Sequence, residues 1–347
     1  MQPSIGRLAL KLVERRGSLS FKSRVICFVY HHILWTAEPL QSIIETFLLG
    51  HKAGQQSGDF KSAFHNLSHA ISTKYYAGGR LAIVHQDHLD FMSKLQCQGV
   101  LIFNKIPVLM LSQINVLKEG MHMSSVSPAD NMQSEEEILS AEPHGSYFFI
   151  YGVIHRLTRS FLFRQFDDPQ SIDFSGPVAE SNHQLNSHFV MGYFFEGLAS
   201  FQLARQASTD ESAKWTERLE RGQSVLAKMK CWSEHSLWNC ENKMLLLEAE
   251  SMFTNGDFDR AGPLYDSAIR SAREHKFIHE EAIASELAGN FYYQRRLHQK
   301  SYSCLVHSVD CYKKWGAYAV AKRVENVISG YFGNDIDQLE SSADATF

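Results

Sequence analysis

The chain has 347 residues, a formal net charge of −4, 44% hydrophobic residues and 21% charged residues. That balance supplies a large packed core and excludes a disordered tail, and the near-neutral charge excludes the electrostatic footprint of a nucleic-acid binder. With only 8 prolines, long uninterrupted helices are permitted almost everywhere.

The opening MQPSIGRLALKLVERRGS has an apolar stretch that charges interrupt too early for a secretory leader. Helical spacing puts Leu8, Leu12 and Val13 on one face, then Val25, Val29, Ile33 and Leu34 on the next. Pro39 reads as the first residue of a third helix running through Ile43, Ile44, Phe47 and Leu48. Breaks are expected at Gly54 to Gly58, Gly78-Gly79, Gly120, Gly256 and Gly316. Residues 99–111 are strand-like in composition, but Pro107 favours a helix beginning near it. Residues 121–144 read as an irregular loop with one short helix, its Glu135-Glu136-Glu137 run being a solvated helix start. The segment Tyr147 to Phe166 carries His155, Arg156, Arg159 and Arg164. Such charges each oppose membrane insertion by roughly 2.5–3.5 kcal/mol, so a half-buried helix is expected. A second irregular piece falls at 167–178, and the tail, 333–347, lacks an apolar face. The expected division is 1–120 N-terminal helical repeats, 121–144 loop, 145–240 aromatic-rich central helices, 241–332 C-terminal repeats and 333–347 frayed tail.

The hexamer G-D-F-x-x-A occurs twice, at Gly58-Asp59-Phe60-Lys61-Ser62-Ala63 and at Gly256-Asp257-Phe258-Asp259-Arg260-Ala261. Glycine releases one helix, aspartate caps the next, and alanine lets the two approach closely. This is the turn of a helix–turn–helix repeat. Around the second copy, Ala249, Gly256, Ala261, Tyr265 and Ala268 have the small–small–large–small spacing of interlocking antiparallel helices. A degenerate partner follows with Gly289, Tyr292, Ser301, Leu305 and Ser308, its turn glycine replaced by Arg296.

Catalytic and metal motifs are sparse. No G-x-x-x-x-G-K-S/T phosphate cradle is present, nor the glycine-rich boxes of a histidine kinase. His155-Arg156-Leu157-Thr158-Arg159 is a faint echo of a phosphoacceptor helix without its proline. His65 and His69, i and i+4, and His85 and His88 around Asp87 lack a third ligand, so polar faces are expected. Cys27, Cys97, Cys231, Cys240, Cys304 and Cys311 form no C-x-x-C pair and most read as reduced core side chains, Cys304 and Cys311 sharing a face. Asn66-Leu67-Ser68 matches a sequon with no role in a cytosolic chain. The aromatic cluster Phe148, Phe149, Tyr151, Phe161, Phe163, Tyr193, Phe194 and Phe195 reads as inter-helix core.

A broader resemblance lies in Trp232-Ser-Glu-His235, Asn239, Lys243, Leu247-Glu248-Ala249-Glu250, the helix Glu281-Ala282-Ile283-Ala284-x-Glu286-Leu287-Ala288, and Tyr312-Lys-Lys-Trp315-Gly316-Ala317. With Trp35, Pro39-Leu40, Gly58-Asp59, Gly78-Gly79, Leu81 and Gln113 it covers about residues 20–325. It resembles the tetratricopeptide-like helical region of multi-sensor signalling kinases, hybrid histidine or serine-threonine, that also carry an AAA-type ATPase module. Arg296 and Ser301 depart from the glycine and alanine usual there. The resemblance implies a coupling scaffold between ATPase or kinase-like modules and sensor modules of a phosphorelay, with no catalytic, cofactor or metal residues of its own.

The expected fold class is therefore all-α, an α-solenoid of antiparallel helix pairs with a concave side free for a partner segment. The residues expected to build it are Gly58, Asp59, Ala63, Gly256, Asp257, Ala261, Tyr265, Ala268, Trp315 and Gly316. The expected role is non-catalytic protein–protein interaction in the cytoplasm, without nucleic acid, membrane or cofactor. A free-standing peptide-binding adaptor and an enzyme with an inter-helix pocket are the alternatives.

Overall fold

The computed structural model describes residues 2–97, 105–120, 134–166, 173–179, 186–207 and 212–333. Among them the regular elements are sixteen α-helices and a short 3-10 turn at Leu34–Thr36. In chain order the helices are α1 (Gln2–Arg16), α2 (Leu19–His32), α3 (Leu40–Ser57), α4 (Phe60–Tyr76), α5 (Leu81–Cys97), α6 (Lys105–Glu119), α7 (Glu135–Ala141) and α8 (Tyr147–Phe163). They continue as α9 (Ser175–Ala179), α10 (Ser187–Gln206), α11 (Ser212–Ser233), α12 (Leu237–Thr254), α13 (Phe258–Glu274), α14 (Ile278–Gln294), α15 (His298–Trp315) and α16 (Tyr318–Phe332). No helix among the described residues is long and apolar enough to cross a membrane.

Local chemistry sets several boundaries. Pro39 is the N-cap of α3, one residue before the helical start assigned to it from sequence. Gly54 lies inside α3; the helix runs on to Ser57 and ends at Gly58. A Cβ at Gly54 would stand 2.9 Å from that of Ala63, so its absence lets α3 and α4 touch. The helix expected near Pro107 is α6, with Pro107 in its first turn. Residues 134–141 form a capping box and short helix, Ser134 and Glu137 bonding each other's backbone N–H. Residues 121–133 of the loop, the first half of the 167–178 piece and nearly all of the 333–347 tail lie outside the described residues.

The C-terminal turns share one geometry. Gly256, Lys276, Arg296 and Gly316 have φ of 80°, 64°, 60° and 103°, and they fall twenty residues apart. In the first three, the left-handed residue donates to the carbonyl three back (Phe253, Arg273, Tyr293). The next residue donates five back (Met252, Ala272, Tyr292). This is the Schellman closure, which satisfies helix-end carbonyls only if one residue turns left-handed. Glycine does so freely, whereas Lys276 and Arg296 carry a Cβ there at a cost of about 1 kcal/mol each. Both side chains are exposed. Arg296→Gly and Lys276→Gly are therefore expected to raise stability by roughly 0.5 kcal/mol each after glycine's entropy cost, and Gly256→Ala to lower it by about 1 kcal/mol. Urea unfolding measures both, and a loss of stability in Arg296→Gly would contradict this reading of the turn.

Consecutive helices pack on one another from α1 to α6, then from α10 to α16, with α8 bridging α6 and α10. The array also closes: α16 packs on α6 and α8. The N-terminal helices sit against the early C-terminal ones. Asn239 of α12 donates to the carbonyls of Trp35 and Glu38 and accepts from the Leu40 N–H. Gly78 lies where a Cβ would meet His279 Nδ1 at 2.9 Å, and the Tyr75 and Trp315 rings are 6.0 Å apart. In consequence α14 is buried on every side, with Glu280, Ala284, Glu286 and Ala288 all at 1% exposure or less. The free concave side expected from sequence is thus filled by the chain's own residues.

Candidate interaction surface

The residues singled out from sequence occupy the inter-helix joints. Gly58 ends α3 at φ 74° and Asp59 caps α4, accepting the Ser62 N–H. Gly256 and Asp257 repeat this between α12 and α13, Asp257 accepting the Arg260 N–H. Asp59 also pairs with Arg24 of α2 at 2.7 Å. Ala63, Ala261 and Ala268 are fully buried. The Tyr265 hydroxyl donates to the buried carboxylate of Glu250, itself paired with Arg205. Trp315 lies under His279, and Gly316 ends α15 beside Leu81. These positions hold helices together and present little to a ligand.

Buried charges lock the closure. Glu286 of α14 accepts from Arg164 at 2.6 Å, from Arg323 at 2.7 Å and from the Tyr312 hydroxyl at 3.0 Å, joining α8, α14, α15 and α16. Burial alone would raise its carboxyl, but the two guanidinium groups outweigh it and bring it down to about 2. Arg164 itself holds a left-handed φ of 59° to make this contact. Lys243 and Glu280 form a second buried pair at 2.7 Å. Glu135 pairs with Arg159 on α8 and accepts from Ser112, while Glu136 and Glu137 stay exposed in the first helical turn, so the acidic run is a solvated helix start with its first residue drawn inward. Asn66 is fully buried against Ser23, which removes it from any glycosylation chemistry.

Histidines gather where α2, α4 and α10 meet. His31 stacks on His69 at 4.0 Å between ring centroids and lies 5.4 Å from His188, which Tyr76 covers at 4.6 Å. The polar face expected at His69 is thus turned into this seam. Burial, then the neighbouring histidines, keep His31 and His69 well below the ordinary imidazole range. The seam is a neutral polar core from residues up to 157 positions apart, invisible to any local motif. A separate cleft of about 590 Å³ is lined by Lys118, Gln165, Tyr318, Lys322 and Asn326.

The outer surface is uneven. Of the sixteen large hydrophobic side chains exposed among the described residues, nine lie within the first sixty positions. On α1, Ile5, Leu8 and Leu12 are 58%, 57% and 50% exposed and share one face, while Gly6 on the other side seats the helix against Val29 and Ile33. On α2, Phe21 and Phe28 are 61% and 53% exposed and seven residues apart. Arg7, Lys11 and Arg15 flank the α1 stripe at four-residue spacing, and no ion-pair partner faces them among the described residues. At the other end, the outward face of α16 carries Tyr318, Lys322, Asn326 and Ser329 and is largely polar. The exposed face of α1 is thus apolar where that of α16 is polar.

The sequence showed the Leu8–Leu12 face, but not that α1 would leave it uncovered. The chain matches no protein-family model, no curated protein and no solved structure.

Proposed function

We propose that this chain is a non-catalytic scaffold of tetratricopeptide-like helix pairs, coupling ATPase- or kinase-like and sensor modules in cytoplasmic signalling. It docks an amphipathic partner helix on its α1–α2 edge. The observation that carries this reading is the exposed stripe Ile5–Leu8–Leu12 beside the cationic row Arg7, Lys11 and Arg15. These side chains are already about half covered, so completing their burial is worth roughly 1–1.5 kcal/mol each toward association. The charge row selects a helix with acidic flanks. The twenty-residue spacing gives a helix pair of forty residues, longer than the thirty-four of the tetratricopeptide unit, so the likeness lies in helix pairing and not in the motif.

The test is a display selection on the full chain with two libraries, amphipathic helices and extended peptides. Enrichment of acid-flanked helices, with binding weakened about tenfold or more in Ile5→Glu/Leu8→Glu/Leu12→Glu, is expected. Enrichment of extended peptides would favour the free-standing adaptor instead. Binding of the chain to anionic vesicles through the same residues would replace the partner helix with a membrane surface.

A further inference from the structure

On the outer side of α14 and α15, a carboxylate, an imidazole and a thiol converge. Glu281 Oε1 lies 2.7 Å from His307 Nε2, Cys311 Sγ lies 3.4 Å from the same nitrogen, and the three donor atoms all fall within 4.8 Å of one another. His307 and Cys311 are i and i+4 on α15, so both side chains face Glu281 across the helix pair. Arg273 reaches in from the end of α13, donating to Glu281 at 2.7 Å and standing 3.1 Å from His307 Nε2.

Hydrogen bonding alone does not account for this arrangement. Nε2 has either one proton or one lone pair, yet a carboxylate, a guanidinium and a thiol all crowd upon it. If Nε2 donates to Glu281, it faces the Arg273 N–H with no lone pair to offer. If it accepts from Arg273, it turns a lone pair on the carboxylate. A cation among the three donors removes the conflict, because imidazole lone pair, carboxylate oxygen and thiolate then all point at positive charge. Arg273 supplies that charge from one side, and its side chain is 59% exposed and free to swing out.

We propose that Glu281, His307 and Cys311 form a site for a single divalent transition-metal ion of borderline softness, with zinc the best fit. Cys–His–carboxylate sets suit this ion, with bonds of about 2.3 Å to sulfur and about 2.0–2.2 Å to nitrogen and oxygen. Those lengths imply tetrahedral edges of roughly 3.3–3.6 Å, so the Sγ–Nε2 separation already fits and the carboxylate oxygen moves out by about half an ångström. Water completes the fourth position. As the sulfur–metal bond forms, the Cys311 thiol releases its proton to solvent, and Arg273 leaves for bulk water with its own proton retained. Glu281 is buried, and His307, with its side chain 34% exposed, opens the site to solvent. The ion would clip α14 to α15 and release the end of α13.

Cobalt(II) titration of the full chain tests this. One equivalent is expected to give a thiolate-to-cobalt charge-transfer band with the intense visible absorption of a tetrahedral centre, and zinc is expected to bleach both. Cys311→Ser should abolish the charge-transfer band with helicity unchanged, and His307→Ala should weaken binding about tenfold or more. Arg273→Met should strengthen binding by removing the competing cation, an effect that an unrelated exposed thiol would not show. Absence of the band, or its persistence in Cys311→Ser, would overturn the site.

Discussion

Lowering the pH from 7.5 to 5.5 is expected to remove about 5 kcal/mol of stability, a large share of what a folded domain has to lose. Burial brings His88, His155 and His188 down to about 3 and His279 down to about 4, despite opposing help from Glu280 at the last. In the unfolded chain each returns to about 6.5. Above that pH both states are neutral and the shift has no effect. Below it the unfolded state takes up protons that the folded state refuses, so stability falls by up to about 1.4 kcal/mol per pH unit per histidine. The depressed carboxylates of Glu286 and Asp59, each near 2, work in the same direction but only below the ordinary carboxylate range, so the histidines dominate above pH 5. His88 is the sharpest case, since both its ring nitrogens are buried without a protein partner. His88→Met is expected to flatten the slope by about one histidine's share. Urea titrations at pH 7.5, 6.5 and 5.5 measure this, and a stability that does not change over that range would contradict the neutral burial of these four histidines.

Glu286→Ala is expected to cost about 3–5 kcal/mol, because it leaves the guanidinium groups of Arg164 and Arg323 buried and facing each other with no anion between them. Arg164 would also keep its left-handed backbone without the ion pair that offsets the strain. The loss should fall on the closure: α16 should separate from α8 before the C-terminal helices themselves unfold, giving early hydrogen exchange in α16. Glu286→Gln, which keeps the side-chain volume and one acceptor oxygen for the guanidinium groups, should cost less. A near-zero loss in Glu286→Gln would show that packing volume, not the charge triad, holds the closure.

These two effects mark what the sequence could and could not disclose. The turn at Gly256-Asp257 was legible because its chemistry is local: left-handed glycine, capping aspartate, small alanine. The equivalent turns at Lys276 and Arg296 were hidden, since nothing in a lysine or arginine announces a positive φ. Burial of α14 on every side had a signal in the run Ala282-Ile283-Ala284-Ser285, where small and apolar residues occupy successive positions and so all faces of a helix. Its consequence, an inner face filled by the chain itself, needed the contacts of Asn239 with residues 35–40, some two hundred positions away. The histidine seam and the Glu281–His307–Cys311 cluster are likewise non-local. Counting i and i+4 pairs found His65 with His69 and missed His307 with Cys311, whose third donor sits on the preceding helix.

The most direct measurement is amide hydrogen exchange across the chain, with and without a bound acid-flanked amphipathic helix. Slowed exchange is expected only in α1 and the outward face of α2, with α14 already the most protected helix in the free chain and unchanged on binding. Protection on α12–α15 with none on α1, or fast exchange in α14 of the free chain, would contradict this by showing that the inner face is open and is where partners bind.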